Sequence, residues 1–86
     1  MFFVYVLISS KDKNLYIGFS ENVIQRLEEH NSGKNISTRN RRPFELIYYE
    51  AYIDQKDALG REKFLKSGSG HRFLEKQLKH TFEKIS

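Results

Sequence analysis

The strongest restriction on the fold comes from two apolar segments at the start of the chain, separated by a short polar one. Residues 2–8 form a continuous run of aromatic and aliphatic side chains, and residues 15–19 form a second run. Uninterrupted runs of this length are typical of strands that are buried on both faces. Since residues 11–14 are polar and leave room only for a turn, the two segments predict an antiparallel β-hairpin.

The register of this hairpin decides which side chains share a face. A four-residue loop would pair Ser9 with Asn14. In that register Tyr5 lies opposite Gly18, and Tyr16 projects from the same face as Tyr5. The two tyrosines are then diagonal neighbours, about 7–8 Å apart at the backbone, and both hydroxyls can reach one ligand. A loop one residue longer or shorter would place them on opposite faces. Tyrosines are also ordinary strand residues that pack in cores.

A helix and a third strand follow the hairpin. Residues 22–32 predict a helix that Ser20 or Asn22 caps and Gly33 ends. Residues 44–52 predict a strand. Its alternation places Phe44, Leu46, Tyr48 and Tyr52 on one face, and Ile47, Tyr49 and Ala51 on the other.

Two more helices complete the predicted order of elements. Asp54 caps a helix that runs to about Lys66, residues 67–70 break it, and a last helix begins near His71. The resulting order, ββαβαα, predicts an α+β domain in which a small antiparallel sheet packs against helices.

Composition narrows the class of protein. A length of 86 residues predicts one domain, residues 1–86. The absence of cysteine excludes a disulfide-linked partner, a thiol nucleophile and a cysteine-based zinc site. The apolar run at residues 2–8 is too short to span a bilayer and does not resemble a signal peptide, so we expect a cytoplasmic protein with no membrane partner. A net charge of +4 fits an ordinary basic protein as well as one that binds a polyanion.

The first predicted helix carries a candidate phosphate-binding pair. Arg26 and His30 are four residues apart and therefore lie on one helix face, beside the apolar positions Val23 and Leu27. A guanidinium is always charged and matches phosphate oxygens in pairs, and imidazole can exchange a proton near neutral pH. The alternative is a solvated flank on which Arg26 pairs with a neighbouring glutamate.

Glu62 is the candidate metal ligand. On a helix it shares a face with Ala58, Leu59 and Leu65. A carboxylate on an apolar face costs free energy unless it is paired or binds a cation. One carboxylate, with water and substrate phosphate at the other positions, suits the coordination of Mg²⁺. The alternative is a structural ion pair with Arg61, Lys63 or Lys66.

A basic loop follows the first helix. Between residues 34 and 42 the chain has four cations and no acid. The cations are Lys34, Arg39, Arg41 and Arg42. Interspersed with small polar residues, they are suited to nucleic-acid phosphates. A loop that is merely solvated is the alternative.

These residues together resemble one known family. Tyr5, Tyr16, Arg26, His30 and Glu62 occur in the order and spacing of the GIY-YIG nuclease superfamily. The stretches at residues 30–34, 41–44, 47–50 and 61–68 are similar to those of its small stand-alone bacterial members. The resemblance covers roughly residues 2–79 and implies a three-stranded antiparallel sheet flanked by helices.

The resemblance also implies a chemistry. It implies a metal-dependent endonuclease, a hydrolase acting on phosphodiester bonds, with DNA favoured over RNA as the partner. Glu62 would hold one Mg²⁺ or Mn²⁺ ion, Tyr5 would be the general base, and Arg26 would offset charge on the phosphoryl oxygens. Tyr16 and His30 would hold the phosphate.

The chain departs from the family pattern at two places. Phe3 and Val4 replace the glycine and isoleucine of the first motif, and Gln77 is the only amide in residues 73–78, where many active members carry an asparagine. Two other functions therefore stay open: a non-catalytic nucleic-acid-binding module and a protein-interaction subunit. Oligomeric state also stays open.

Overall fold

The first strand of the chain forms the centre of a three-stranded antiparallel sheet. The computed structural model describes residues 1–85. Within them the elements are β1 (Phe2–Ser9), β2 (Leu15–Ser20), α1 (Val23–Ser32), a 3₁₀ turn (Arg39–Arg41), β3 (Phe44–Tyr52), α2 (Gln55–Lys66), α3 (Gly68–Gln77) and α4 (Lys79–Ile85). The strand order is β2-β1-β3. The predicted α+β class is confirmed.

The hairpin has the predicted register. The Ser9 N–H donates to the Asn14 carbonyl oxygen at 3.0 Å across the four-residue loop. Lys13 takes a left-handed conformation, with φ of 62°, where the chain reverses direction. Tyr5 pairs with Gly18 and Leu7 with Tyr16. Tyr5 and Tyr16 therefore lie on the same face of the sheet.

Strand β3 contains a bulge that its sequence pattern does not show. Val6 pairs with Tyr48, but the next residue of β1, Leu7, pairs with Leu46. Ile47 is therefore an extra residue, and an extra residue reverses the faces of all side chains beyond it.

The predicted faces of β3 are consequently wrong. Phe44 and Leu46 pack on the face of Tyr5 and Leu7. Tyr48 and Tyr52 pack on the opposite face, together with Ile47. The residues on both sides of the bulge are apolar, so the alternation of polar and apolar positions could not reveal it.

The sheet separates two apolar clusters. On one face Val4, Val6 and Ile17 pack against the helices α2 and α3. The buried residues that the helices contribute are Ala58, Leu65 and Leu74, and Leu78 joins them from the junction between α3 and α4. On the other face β1 and β3 pack against α1. Helix α1 and the C-terminal helices thus cover opposite faces, which satisfies the burial of both sides of β1.

The helix ends follow the predicted caps with one exception. The Asn22 side chain accepts from the Gln25 N–H to cap α1, and Asp54 accepts from the Lys56 N–H to cap α2. The last helix does not begin near His71. The chain enters α3 already at Gly68, because the Ser67 side chain caps it, and the helical segment is divided at Leu78 into α3 and α4. None of the helices in residues 1–85 has the length and apolar character required to cross a membrane.

Candidate active site

Two residues from distant parts of the chain meet in the interior. Tyr5 of β1 and His30 of α1 are 1% and 0% exposed, and the Tyr5 Oη lies 3.1 Å from the His30 Nε2. The Tyr16 ring of β2 packs edge-on against the His30 ring with 4.8 Å between centroids. The Tyr5 and Tyr16 rings are 6.4 Å apart. The structure therefore brings these three predicted site residues together.

Gly18 makes room for the Tyr5 phenol. A Cβ at position 18 would lie 2.4 Å from the Tyr5 Oη and 2.5 Å from its Cζ. Real Cβ atoms do not approach other atoms so closely, so the Tyr5 ring crosses the backbone of β2 only because residue 18 has no side chain. The glycine is required by this close approach.

His30 has a second polar partner that the sequence did not indicate. Its Nδ1 lies 2.9 Å from the Thr38 Oγ1, and Thr38 is buried although it belongs to the basic loop. No residue type or spacing distinguishes Thr38 from the other small polar residues of that loop. Only its burial against α1 reveals the contact.

Burial and nearby charges shift the pKa of the Tyr5 phenol and that of the His30 imidazole. Burial raises the pKa of the Tyr5 phenol to about 12, and the nearby Arg26 guanidinium opposes part of that rise. Burial also lowers the pKa of the His30 imidazole below its usual value, with a smaller effect in the same direction from Arg26. Both side chains are therefore neutral at pH 7.

Arg26 lies on the wall of an open cleft. Its Nη1 is 3.1 Å from the Glu29 Oε1, so the predicted ion pair on the helix flank does form. The guanidinium nevertheless lines a cleft of about 440 Å³ together with His30 and Lys34. It also lines a neighbouring cleft of about 310 Å³ beside Asn22. An exposed i,i+3 ion pair is weak, so a phosphate in the cleft can compete with Glu29 for Arg26.

Glu62 is shielded on α2, and its side chain is 19% exposed. Its Oε2 lies 3.1 Å from the Nζ of Lys66, one of the three predicted structural partners. The carboxylate is also among the charges that raise the pKa of Tyr5, which relates it electrostatically to the cluster.

The surroundings of Glu62 fit a divalent cation held by one protein ligand. Lys66 is 56% exposed and can rotate away, and no other hydrogen bond or ion pair within residues 1–85 engages the carboxylate. The described residues contain no group of three or more His, Asp or Glu side chains that could hold a metal together. A hard oxygen ligand with the other positions left to water and phosphate matches the preference of Mg²⁺.

The four predicted basic-loop residues have different surroundings. Lys34 lines the cleft with Arg26. Arg41 turns away to the hairpin: its Nε donates to the Asp12 carboxylate at 2.6 Å, which lowers the pKa of Asp12 to about 2, and its guanidinium lies 5.4 Å from the Phe44 ring centroid. Arg42 donates to the Arg39 carbonyl oxygen at 2.7 Å. Arg39 is exposed, and no bond of its own side chain is formed within residues 1–85.

A polar cluster centred on Glu50 was not predicted. The Glu50 carboxylate accepts from the Tyr48 hydroxyl at 2.5 Å, from the Tyr52 hydroxyl at 2.6 Å and from Arg61 at 2.8 and 3.1 Å. The Arg61 guanidinium also lies 4.5 Å from the Phe73 ring centroid. Arg61 directly precedes Glu62 on α2. The bonds between Arg61 and Glu50 therefore connect β3 to the helix that carries Glu62. The bulge in β3 places the side chains of Tyr48, Glu50 and Tyr52 on the sheet face that α2 covers.

Gln77, the only amide in residues 73–78, ends α3 with an exposed side chain. It makes no hydrogen bond with another side chain or backbone group in the described part of the chain.

Comparison with known proteins identifies the family. The family model described as the GIY-YIG catalytic domain matches residues 1–84. The chain belongs to the GIY-YIG family. Among similar proteins, a UPF0213 protein of Pediococcus acidilactici is 44% identical over 71 residues, which cover 79% of this chain and 71% of the relative. A UPF0213 protein of Pediococcus pentosaceus is 40% identical, over 87% of this chain and 82% of the relative.

A solved structure is similar to this GIY-YIG domain as well. The solution NMR structure of a UPF0213 protein from Bacillus halodurans has a TM-score of 0.52 and 33% sequence identity, and covers 86% of this chain and 82% of that chain. The resemblance stated from the residues is confirmed. Membership of the GIY-YIG family indicates a domain of the nuclease superfamily, and hence nucleic acid as the class of substrate.

Proposed function

We propose that this chain is a metal-dependent endonuclease that hydrolyses phosphodiester bonds, with DNA favoured over RNA. The observation that carries the proposal is the convergence of Tyr5, Tyr16 and His30 beside the cleft that Arg26 lines. These residues come from the three elements β1, β2 and α1, and the match to a catalytic-domain family supports a catalytic interpretation of the cluster.

Each residue has a role in this proposal. Arg26 binds the phosphate in the cleft and offsets the charge that develops on its oxygens. Tyr16, half-buried beside the His30 ring, holds the phosphate. His30 assists through Tyr5 instead of binding the phosphate itself, because both of its ring nitrogens contact buried hydroxyl groups. Tyr5 is the general base for the attacking water, and its phenol must first lose the proton that its burial retains. A Mg²⁺ or Mn²⁺ ion held by Glu62 would supply polarisation of the scissile phosphate.

The decisive experiment is a cleavage assay on labelled linear, branched and single-stranded DNA and RNA, with Mg²⁺, with Mn²⁺ and with a chelator. We expect metal-dependent cuts by the wild type, and a loss of about 10²-fold or more in rate for Glu62→Ala and for Arg26→Ala. A matched control is Glu75→Ala, because Glu75 is an exposed acid on α3 that lines a different cleft. If Glu62→Ala cleaves as fast as Glu75→Ala, the metal assignment fails.

A second candidate function is a nucleic-acid-binding module without catalysis. Residues 73–78 favour it, because the only amide there is the exposed Gln77, where many active members carry an asparagine. This function predicts salt-sensitive binding that is independent of divalent metal, is the same in wild type and Glu62→Ala, and produces no strand breaks.

A further inference from the structure

Both ring nitrogens of His30 are occupied by buried hydroxyl groups. The Tyr5 Oη lies 3.1 Å from Nε2, and the Thr38 Oγ1 lies 2.9 Å from Nδ1. All three residues are at most 1% exposed. Because a neutral imidazole carries one N–H and one lone pair, the two hydroxyls must play opposite parts.

The hydrogen bonds of Thr38 indicate which ring nitrogen of His30 carries the proton. The Thr38 hydroxyl donates to the Asn35 carbonyl oxygen at 3.5 Å. A hydroxyl has one proton, so its oxygen presents a lone pair to His30. The His30 Nδ1 must then carry the N–H that donates to Thr38.

The Tyr5 side leads to the same assignment. The Arg26 guanidinium lies near the phenol and opposes part of the rise in the Tyr5 pKa, so the oxygen lone pairs face this cation and the O–H points away from it. The phenol proton therefore needs an acceptor elsewhere, and within residues 1–85 the group at hydrogen-bond distance is the His30 Nε2. With Nδ1 protonated, that nitrogen has a free lone pair.

We propose that Thr38 is a positioning residue: it holds His30 as the Nδ1–H tautomer, so that Nε2 accepts the proton of Tyr5 and makes that tyrosine a base. This inference rests on the proposed function and deepens it. In the step, the Tyr5 O–H bond breaks and an N–H bond forms at Nε2, which yields a phenolate and an imidazolium. The phenolate then takes a proton from the attacking water and passes it to solvent on the substrate side. The imidazolium meanwhile returns its own proton to the Tyr5 oxygen through the Nε2 contact, which restores both neutral groups.

The charges around the pair act on this transfer in opposite directions. Arg26 lies beside the phenol and favours its ionised form. Glu29 favours the protonated form of His30, while the Arg26 charge opposes it. Burial disfavours both ions, and Arg26 therefore helps at the phenol but acts against the imidazolium, where its effect exceeds that of Glu29.

Nitrogen NMR of the imidazole tests the tautomer without any activity measurement. In a His71→Gln, His80→Gln background, His30 is the only one of the three histidines left to observe. We expect the Nδ1–H tautomer in this protein and in Thr38→Ser, which keeps the hydroxyl. Thr38→Val keeps the side-chain shape without the hydroxyl, and there we expect the Nε2–H form to become populated. An Nε2–H tautomer in the otherwise wild-type protein, or an unchanged Nδ1–H tautomer in Thr38→Val, overturns the proposal.

Cleavage kinetics then test its consequence. We expect Thr38→Val to lose about 10²-fold in kcat, with KM for the nucleic acid within about a factor of two of wild type, and Thr38→Ser to recover most of the rate. Equal rates for wild type and a folded Thr38→Val contradict the positioning role. Should the wild type make no cuts under any condition, the proposed function fails, while the imidazole spectrum still decides the tautomer.

Discussion

At the scale of single residues, the closest approach in the site is that of Tyr5 to Gly18. Tyrosine at position 5 and glycine at position 18 are paired across the hairpin, and the phenol occupies the space in which any other residue would place its side chain. The glycine therefore determines where the hydroxyl of the proposed base lies.

Substitution of Gly18 by alanine tests this dependence. The new Cβ would lie 2.4 Å from the Tyr5 Oη, so the phenol must move away from His30. We expect Gly18→Ala to lose about 1–3 kcal/mol of unfolding free energy and about 10²-fold in cleavage rate, measured by urea denaturation and by the cleavage assay.

The chain offers a matched control for that substitution. Gly60 lies inside α2, and a Cβ there meets nothing within 4 Å. Gly60→Ala should raise the unfolding free energy by about 0.5–1 kcal/mol, because alanine is a better helix former, and leave cleavage unchanged. If Gly18→Ala and Gly60→Ala have the same unfolding free energy and the same cleavage rate, the close approach of Tyr5 to Gly18 does not affect function.

At the scale of elements, the cluster around Glu50 fixes α2 against the sheet. Glu50 receives four hydrogen bonds, two of them from Arg61 on α2. Since Arg61 and Glu62 are consecutive, the same bonds set the rotation of the helix that presents the proposed metal ligand.

Removal of the Glu50 charge should therefore weaken the contact between β3 and α2. We expect Glu50→Gln to cost about 1–3 kcal/mol of unfolding free energy, since Arg61 loses its half-buried partner. Glu45→Gln on the same strand is the control, because Glu45 is exposed, and it should change stability by less than about 0.5 kcal/mol. If Glu50→Gln and Glu45→Gln unfold at the same urea concentration, the bonds of Glu50 do not stabilise the contact between β3 and α2.

The same cluster predicts how stability depends on pH. Burial acts to raise the pKa of Glu50, but hydrogen bonds from Arg61, Tyr48 and Tyr52 outweigh it and lower the pKa. The unfolded chain therefore binds this proton more readily, and the stabilisation present above the ordinary carboxyl pKa is lost as pH falls through the lowered value. Glu50→Gln should remove this part of the loss at acid pH and leave the part that comes from the lowered pKa of Asp12.

Tyr48 and Tyr52 affect the unfolding free energy at alkaline pH. Burial and the bond to Glu50 raise the pKa of Tyr48 and of Tyr52 to about 12. Their contribution is present below the unfolded pKa of about 10 and is lost as pH rises toward the folded value. Urea denaturation at a series of pH values measures both ends.

At the scale of the whole molecule, the lysines and arginines that give the chain its net charge of +4 have two kinds of surroundings. Some bond to other parts of the fold, and others face solvent. Arg41 belongs to the first group, because it bonds Asp12 and lies against Phe44. Lys34 and Arg39 belong to the second.

This division predicts different responses to salt. For binding to duplex DNA without divalent metal, Lys34→Ala and Arg39→Ala should each reduce the slope of log affinity against log salt concentration by about 0.9. Arg41→Ala should leave that slope nearly unchanged and lower thermal stability instead. Fluorescence anisotropy over a salt series measures the slopes. A slope change confined to Arg41→Ala would reverse the assignment.

The sequence by itself determined the features that depend on local signals. The strand limits, the hairpin register and the caps Asn22 and Asp54 follow from turn length, side-chain alternation and hydrogen bonds between near neighbours. A four-residue hairpin loop sufficed to place Tyr5 and Tyr16 on one face, whereas only the family resemblance implied that His30 joins them.

The tertiary structure alone decided the features that depend on distant contacts. The bulge at Ile47 arises from the pairing of β3 with β1, and it is this bulge that brings Glu50 to Arg61. Thr38 reaches His30 only because the basic loop folds back over α1. Such contacts depend on which surfaces pack together and on the space between them, and a pattern of residue types along the chain carries no record of either.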